Sequence, residues 1–403
     1  MADSTQSFEF PWPIFSGIME GTSILDVPRL DLNTMEEATD FIKAYGFDPG
    51  NDADLELLWS FFDSSIQFIE RTLAHPDYPK VPEHLKNRES LTDLRRLLLM
   101  ASSRDTEQDD QRFSCAILRV MHVLIHLAHD PRLKYFHEVQ NHILGRLDAH
   151  LHIDESDGAT YLGDKSEGDA IKLLFFKIKD RKDRDREIIK LLHKTNSVVE
   201  DIYDRIGFRL VTETKFDAAR AVRLLLKKNI ISVPNVRPGR SRNRLVDLKR
   251  LIFEVDRIQT HLNKSGADAP YVEKMIRRLE RRISFGRLGR SLINPHTNEN
   301  YRAIQFTCRE LVKVKNPIFT LYRKLSKQLE NLHGGEQVLS EVFSSGVPNR
   351  SHNYVFFPYE IQIMDVKSYA DSIFGKSNHE EYRRKQLDSA RARVFGLPQA
   401  KSK

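Results

Sequence analysis

The stretch VFFPYEIQI (355–363) decides the fold of the C-terminal half. Val355, Phe357, Tyr359, Ile361 and Ile363 fall on one face of an extended chain, and Glu360 and Gln362 share the other. Such a strand anchors an apolar face in a core and projects a carboxylate and an amide together from the opposite face. The ordinary alternative is a half-exposed strand whose polar residues meet only water. A second run, DRIGFRLV (204–211), opens on Asp204 and predicts a strand over 204–212. The helical pattern FDAARAVRLLLKK (216–228) follows it. IQFTC (304–308) alternates Ile304, Phe306 and Cys308 against Gln305 and Thr307, which predicts a third strand.

Upstream the period changes. LELLWSFFDSSIQFIERTL (55–73) and FSCAILRVMHVLIHLA (113–128) place apolar residues three and four apart, and strand signals are scarce before residue 160. The polar, Gly-containing segment IDESDGATYLGDKSEGD (153–169) suits a boundary near 160, followed by a basic helical segment to about 198. The expected fold class is therefore α+β: a helical domain over 1–160, then a domain over 161–403 with a small mixed sheet flanked by helices.

With 403 residues and 40% hydrophobic content, the chain has enough apolar material for a substantial core. No apolar run approaches the roughly 20 residues that span a bilayer. The start, MADSTQSFEF, lacks a signal-peptide pattern, so the cytoplasm is expected. Cys115 and Cys308 alone supply neither a disulfide framework nor a four-cysteine zinc site. The net charge is +6, and the cations concentrate in the middle and C-terminal parts, which points to anionic ligands.

In their order, these blocks resemble the RelA/SpoT-like nucleotide pyrophosphokinases, which make (p)ppGpp alarmones. DRIGFRLV resembles the family's Asp-x-x-Gly-x-Arg strand, and ENYRAIQ (299–305) its Asn-Gly-Tyr-x-Ser-Ile-His segment. EIQI (360–363) followed by HEEYRRK (379–385) resembles Glu-Ile-Gln-Ile-Arg-Thr and the downstream His-x-x-Tyr-Lys. The resemblance covers roughly 170–390, with segments near 230–285 and 312–352 that stand as insertions. It departs from the pattern at Asn300, Ala303, Gln305, Met364 and Asp365.

What the resemblance implies is transfer of pyrophosphate from ATP to the 3′-hydroxyl of GDP or GTP, with Mg²⁺ as cofactor. Phosphoryl chemistry of this kind needs a cation to neutralise charge and basic side chains to orient phosphates. By matching position, Asp204 would bind Mg²⁺, and Glu360 would bind it or draw the proton from the attacking hydroxyl. Arg181, Lys190 and Arg209 would hold ATP; Tyr301 would stack on the acceptor base; Gln362, His379, Tyr382 and Arg383 would border the acceptor. The departures leave room for an adenine nucleotide or a tRNA 3′ end as acceptor, or for a catalytically silent nucleotide- or RNA-binding module.

Two further features have ordinary readings beside functional ones. KIKDRKDRDREIIKLLHK (177–194) can form exposed helical ion pairs worth roughly 0.2–0.5 kcal/mol each, or part of it can hold ATP. VRPGRSRNR (236–244) and KMIRRLERR (274–282) can contact RNA phosphates or simply face water. His122, His126 and the pair His129-Asp130, with His137, His142, His150 and His152 beyond, invite a metal-dependent hydrolase reading, but helical histidines this frequent are commonly packed side chains.

Overall fold

The computed structural model describes residues 12–78, 80–103, 108–179, 183–194, 198–199, 202–265, 269–284, 301–329, 337–338, 340–341, 350–374 and 379–397. Among these, the architecture is α+β, with fourteen helices and one seven-stranded mixed sheet. Seven helices come first: α1 (Trp12–Glu20), α2 (Met35–Tyr45), α3 (Asp52–Phe68), α4 (Arg88–Leu91), α5 (Leu94–Ser102), α6 (Gln108–Ala128) and α7 (Phe136–Asp148). Then follow β1 (Leu151–Ile153), β2 (Thr160–Leu162), β3 (Ile171–Lys179), α8 (Arg184–His193), β4 (Ile206–Thr212), α9 (Lys215–Lys227), β5 (Arg242–Asn243), α10 (Leu248–Ser265) and α11 (Ala269–Arg282). The chain continues through β6 (Ile304–Lys315), α12 (Pro317–Leu329), β7 (His352–Asp365), α13 (Val366–Phe374) and α14 (His379–Val394). No helix among the described residues is long and apolar enough to cross a membrane.

The strands lie in the order β1-β2-β3-β4-β7-β6-β5, and only β4 and β7 run parallel. The period-two reading of β7 holds: Phe357, Tyr359, Ile361 and Ile363 are buried on one face. There they join Ile206, Phe208 and Leu210 of β4, Phe306 and Cys308 of β6, and apolar residues of α7 and α9. Burying each such large side chain contributes about 1.5–3 kcal/mol, so this face fixes the register. Helix α9 starts where Thr214 accepts a hydrogen bond from the Asp217 amide, returning the chain over β4.

Two expectations change. Residues 171–179, expected as the start of a basic helical segment, form β3, and the helix covers only Arg184–His193. Phe175, Phe176 and Ile178 favour extended chain, and β2 and β4 both pair with this segment, so sheet pairing overrides the lysine-rich helical pattern. Strand β4 starts at Ile206, leaving Asp204 in the preceding loop.

The two apolar cores do not divide the chain at a single point. The first gathers α2, α3, α5 and α6 together with Ile188, Leu191 and Leu192 of α8 and Ala390 and Val394 of α14. The second takes α7 into the sheet layer. Helix α8 therefore belongs to the helical core while standing, in sequence, between two central strands.

Candidate active site

The sheet face opposite the apolar core carries two polar rows. In one, Lys179, Gly207, Glu360 and Thr307 stand side by side across β3, β4, β7 and β6; in the next, Lys177, Arg209, Gln362 and Gln305 do the same. Glu360 and Gln362 are each only 7% exposed, so this strand does not simply turn its polar side to water. Burying such groups is costly unless every polar atom finds a partner. The Glu360 carboxylate accepts from Lys179 Nζ, from Gln305 Nε2 and, at 3.0 Å, from Gln362 Nε2. The other amide atom, Gln362 Oε1, accepts from Arg209 Nη2 at 3.1 Å and Nε at 3.3 Å.

Gly207 makes this possible. A Cβ there would lie 2.8 Å from Lys179 Cδ and 3.2 Å from the Glu360 carbonyl oxygen, so only glycine lets the lysine stem cross β4 to reach the carboxylate. At the far end of the face, Tyr369 of α13 stacks on Phe175, with ring centroids 5.1 Å apart, and Arg209 lies 5.9 Å from the tyrosine ring. The tyrosine closes that end of the polar rows.

Helix α8 grips two consecutive residues just before β4. Glu187 accepts from Arg205 Nε at 3.0 Å, and one turn later Lys190 donates to Asp204. Arg205 is fully buried and also donates to Asp130, which in turn holds Arg132 at 2.6 Å. Burial works against the Asp130 charge, but hydrogen bonds from Arg132 and Arg205 outweigh it and hold the carboxyl below its usual range. This network ties the helical core to the entrance of β4 and so positions Asp204.

Around Asp204 the cations accumulate. Arg237 and Arg240 lie 4.2 and 4.8 Å from the ring of Tyr203. Strand β5 sets Arg242 against Gln305, the residue that reaches Glu360. Burial, with Lys190, Arg240 and Arg242 nearby, pushes the Lys194 ammonium down to about 8 despite Asp204. Arg244 is likewise pushed down, by burial and by Arg242 and Arg302. Cations that depress one another in this way favour an anion between them.

The structure thus brings Glu360, Gln362 and Arg209 into one network and joins Asp204 to Lys190. Tyr301 precedes β6, within electrostatic reach of Arg244. Arg181 lies outside the described residues; His379 and Tyr382 are on α14, but their side chains are also outside them. Arg383 is exposed on the same helix. The His129-Asp130 pair separates in role: His129 bonds the Ile125 carbonyl, and Asp130 belongs to the arginine network. His122 meets the Tyr45 hydroxyl at 2.8 Å, and burial together with His126 pushes it down to about 4.

Lys179, Gly207, Gln305, Tyr203 and Arg237 to Arg244 complete the site. Their sequence signals were a glycine inside a strand pattern and an arginine-rich loop, but nothing local announces that β5 pairs with β6. Among the described residues no cluster of three or more His, Cys, Asp or Glu stands ready as a metal cage. Asp204 and Glu360, each bonded by a lysine, are oxygen donors of the kind Mg²⁺ takes, one or two at a time, with water and substrate phosphates completing its shell. Compared with protein-family models, curated proteins and solved structures, the chain finds no match.

Proposed function

We propose that the chain transfers the β,γ-pyrophosphoryl group of ATP to the 3′-hydroxyl of a guanine nucleotide, giving a (p)ppGpp-like product in the cytoplasm. The observation that carries this reading is the buried carboxylate of Glu360, fixed by Lys179, Gln305 and Gln362 on a sheet face bordered by an excess of cations. Its resemblance to the RelA/SpoT-like blocks supports the same reaction.

The 3′-oxygen attacks the β-phosphorus, the bond from that phosphorus to the α,β-bridging oxygen breaks, and AMP leaves with the electron pair. Glu360 takes the hydroxyl proton. Asp204 and Glu360 would hold Mg²⁺, which when bound supplies charge neutralisation on the phosphates. Each carboxylate now carries a lysine as counter-ion, Lys190 on Asp204 and Lys179 on Glu360. In the working complex these lysines exchange carboxylate for phosphate. By the resemblance, Lys190 and Arg209, with Arg181, would orient ATP, and Tyr301, Gln362, His379, Tyr382 and Arg383 would border the acceptor.

Incubation of the full chain with labelled ATP, Mg²⁺ and separate GDP, GTP, ADP and tRNA acceptors tests this. A labelled product from GDP or GTP, absent with Glu360→Gln, is expected. Product from ADP or tRNA alone would reassign the acceptor. Nucleotide binding without product from any acceptor would favour a silent binding module.

A further inference from the structure

The polar face does not stop at Glu360. Strands β6 and β7 run on as an antiparallel pair past the end of β4, which pairs with β7 only over residues 359–365. On the same face as Glu360 and Thr307, this extension carries Arg309, Leu311 and Lys313 from β6 and Phe356 and Tyr354 from β7. Leu311 stands opposite Phe356 and Lys313 opposite Tyr354. Tyr354 is 60% exposed and Phe356 50%, and Arg309, Leu311 and Lys313 are exposed as well.

This exposure is not a loose end of the sheet. The reverse face of the same segment is packed: Val312, Val314 and Phe357 lie in the core, and Glu310 is buried against Arg146 of α7. The core therefore supports the platform from behind. The Arg309 guanidinium rests 5.4 Å from the Phe356 ring, and the only carboxylate among residues 309–315, Glu310, points the other way. Two aromatic rings alternate along one strand while two cations alternate along its neighbour.

Aromatic rings offer stacking surfaces to any base, and the interleaved cations match a phosphate backbone, the two requirements of a single-strand site. A protein partner could use the apolar area, but it would have no need of an extension whose described residues on this face carry two cations and no carboxylate. From Phe356 to Glu360 is four residues, about 13 Å at the usual rise of a strand, within the reach of a short oligonucleotide.

We infer that the β6–β7 extension binds single-stranded nucleic acid, its bases on Phe356 and Tyr354 and its phosphates on Arg309 and Lys313, and directs a 3′ end toward Glu360. The strand binding stands on the β6–β7 pair alone; the 3′-end placement rests on the proposed pyrophosphate transfer, and makes the acceptor nucleotide the last residue of a strand.

Fluorescence anisotropy of the full chain with labelled 12-nucleotide RNA, DNA of the same sequence, and the corresponding duplex is the test. Expected are preference for the single strands over the duplex, weakening as salt rises, and at least a tenfold loss of affinity in Tyr354→Ala/Phe356→Ala. Tyr354→Trp/Phe356→Trp should restore binding, which separates stacking from a folding defect. Duplex bound as tightly as single strands, binding unchanged in the double alanine variant, or self-association through this face with no oligonucleotide bound would each overturn the inference. Strand binding without pyrophosphate transfer to any acceptor would instead overturn the reaction and leave the platform standing; transfer to free nucleotides without strand binding would do the reverse.

Discussion

The arginine network at the entrance of β4 and the Glu360 row on its face use the same residue types to different ends. The first is balanced: Arg132 and Arg205 meet Asp130 and Glu187, with every side chain largely shielded from water. Around Asp204 and Glu360, by contrast, the described residues gather Lys179, Lys190, Lys194, Arg209, Arg237, Arg240 and Arg242, and Lys190, Arg240 and Arg242 help push the Lys194 ammonium down. A balanced buried network serves the fold. A gathering of like charge disfavours the folded chain and is relieved by an anion from outside, which is the ground for proposing the second region as the functional one.

Substitutions separate the two regions. The largest effect on stability is expected from Asp130→Ala, which takes from the buried Arg205 and Arg132 the carboxylate they share and costs about 3–5 kcal/mol, measured by denaturant unfolding. Glu360→Gln should reverse the pattern, lowering product formation by about a thousandfold while shifting the unfolding midpoint far less. Equal destabilisation by both would erase the distinction.

Gly207→Ala probes how finely the row is set. Its new methyl meets Lys179 Cδ at 2.8 Å and the Glu360 carbonyl oxygen at 3.2 Å, so the lysine stem must shift and its bond to Glu360 is disturbed. Turnover should fall by about ten- to a hundredfold, with the overall fold retained by circular dichroism. Next in size, Arg240→Ala/Arg242→Ala should raise the KM for ATP by about tenfold with little change in kcat, the signature of lost ground-state and transition-state binding together. A kcat effect alone would place these arginines elsewhere in the reaction.

The smallest effect concerns pH. Lys194 is pushed down from 10.5 to about 8. Between those values the unfolded chain keeps a proton that the folded chain has released, so stability should rise with pH across this window. Anion binding should weaken over the same range, because an anion favours the ammonium form. Lys194→Met should flatten both profiles, as read by thermal unfolding and by nucleotide titration at pH 7 to 10.

How far the sequence discloses this arrangement depends on the range of the interaction. The alternation in residues 355–363 is local, and it places Glu360 and Gln362 on one face and the apolar set in the core as the structure has them. The α+β class follows from the change of period between the first helices and DRIGFRLV. Residues 171–179 read locally as helix, and the partners that make them a strand, β2 and β4, lie outside the segment. For the same reason Gln305 gained no role from its neighbours, and Arg242 none from its charge. Only pairing of β5 with β6, and of β6 with β7, brings them beside Glu360. The link from Asp130 through Arg205 to Glu187 joins residues 75 and 18 positions apart and has no local signature.

The most direct measurement is the nucleotide by-product of ATP in the presence of a guanine nucleotide with and without its 3′-hydroxyl, for the parent chain and for Glu360→Gln. The account predicts AMP in amounts equal to the pyrophosphorylated product, none with the 3′-deoxy acceptor and none with Glu360→Gln. Release of ADP, or AMP formation indifferent to both the 3′-hydroxyl and Glu360, would contradict it.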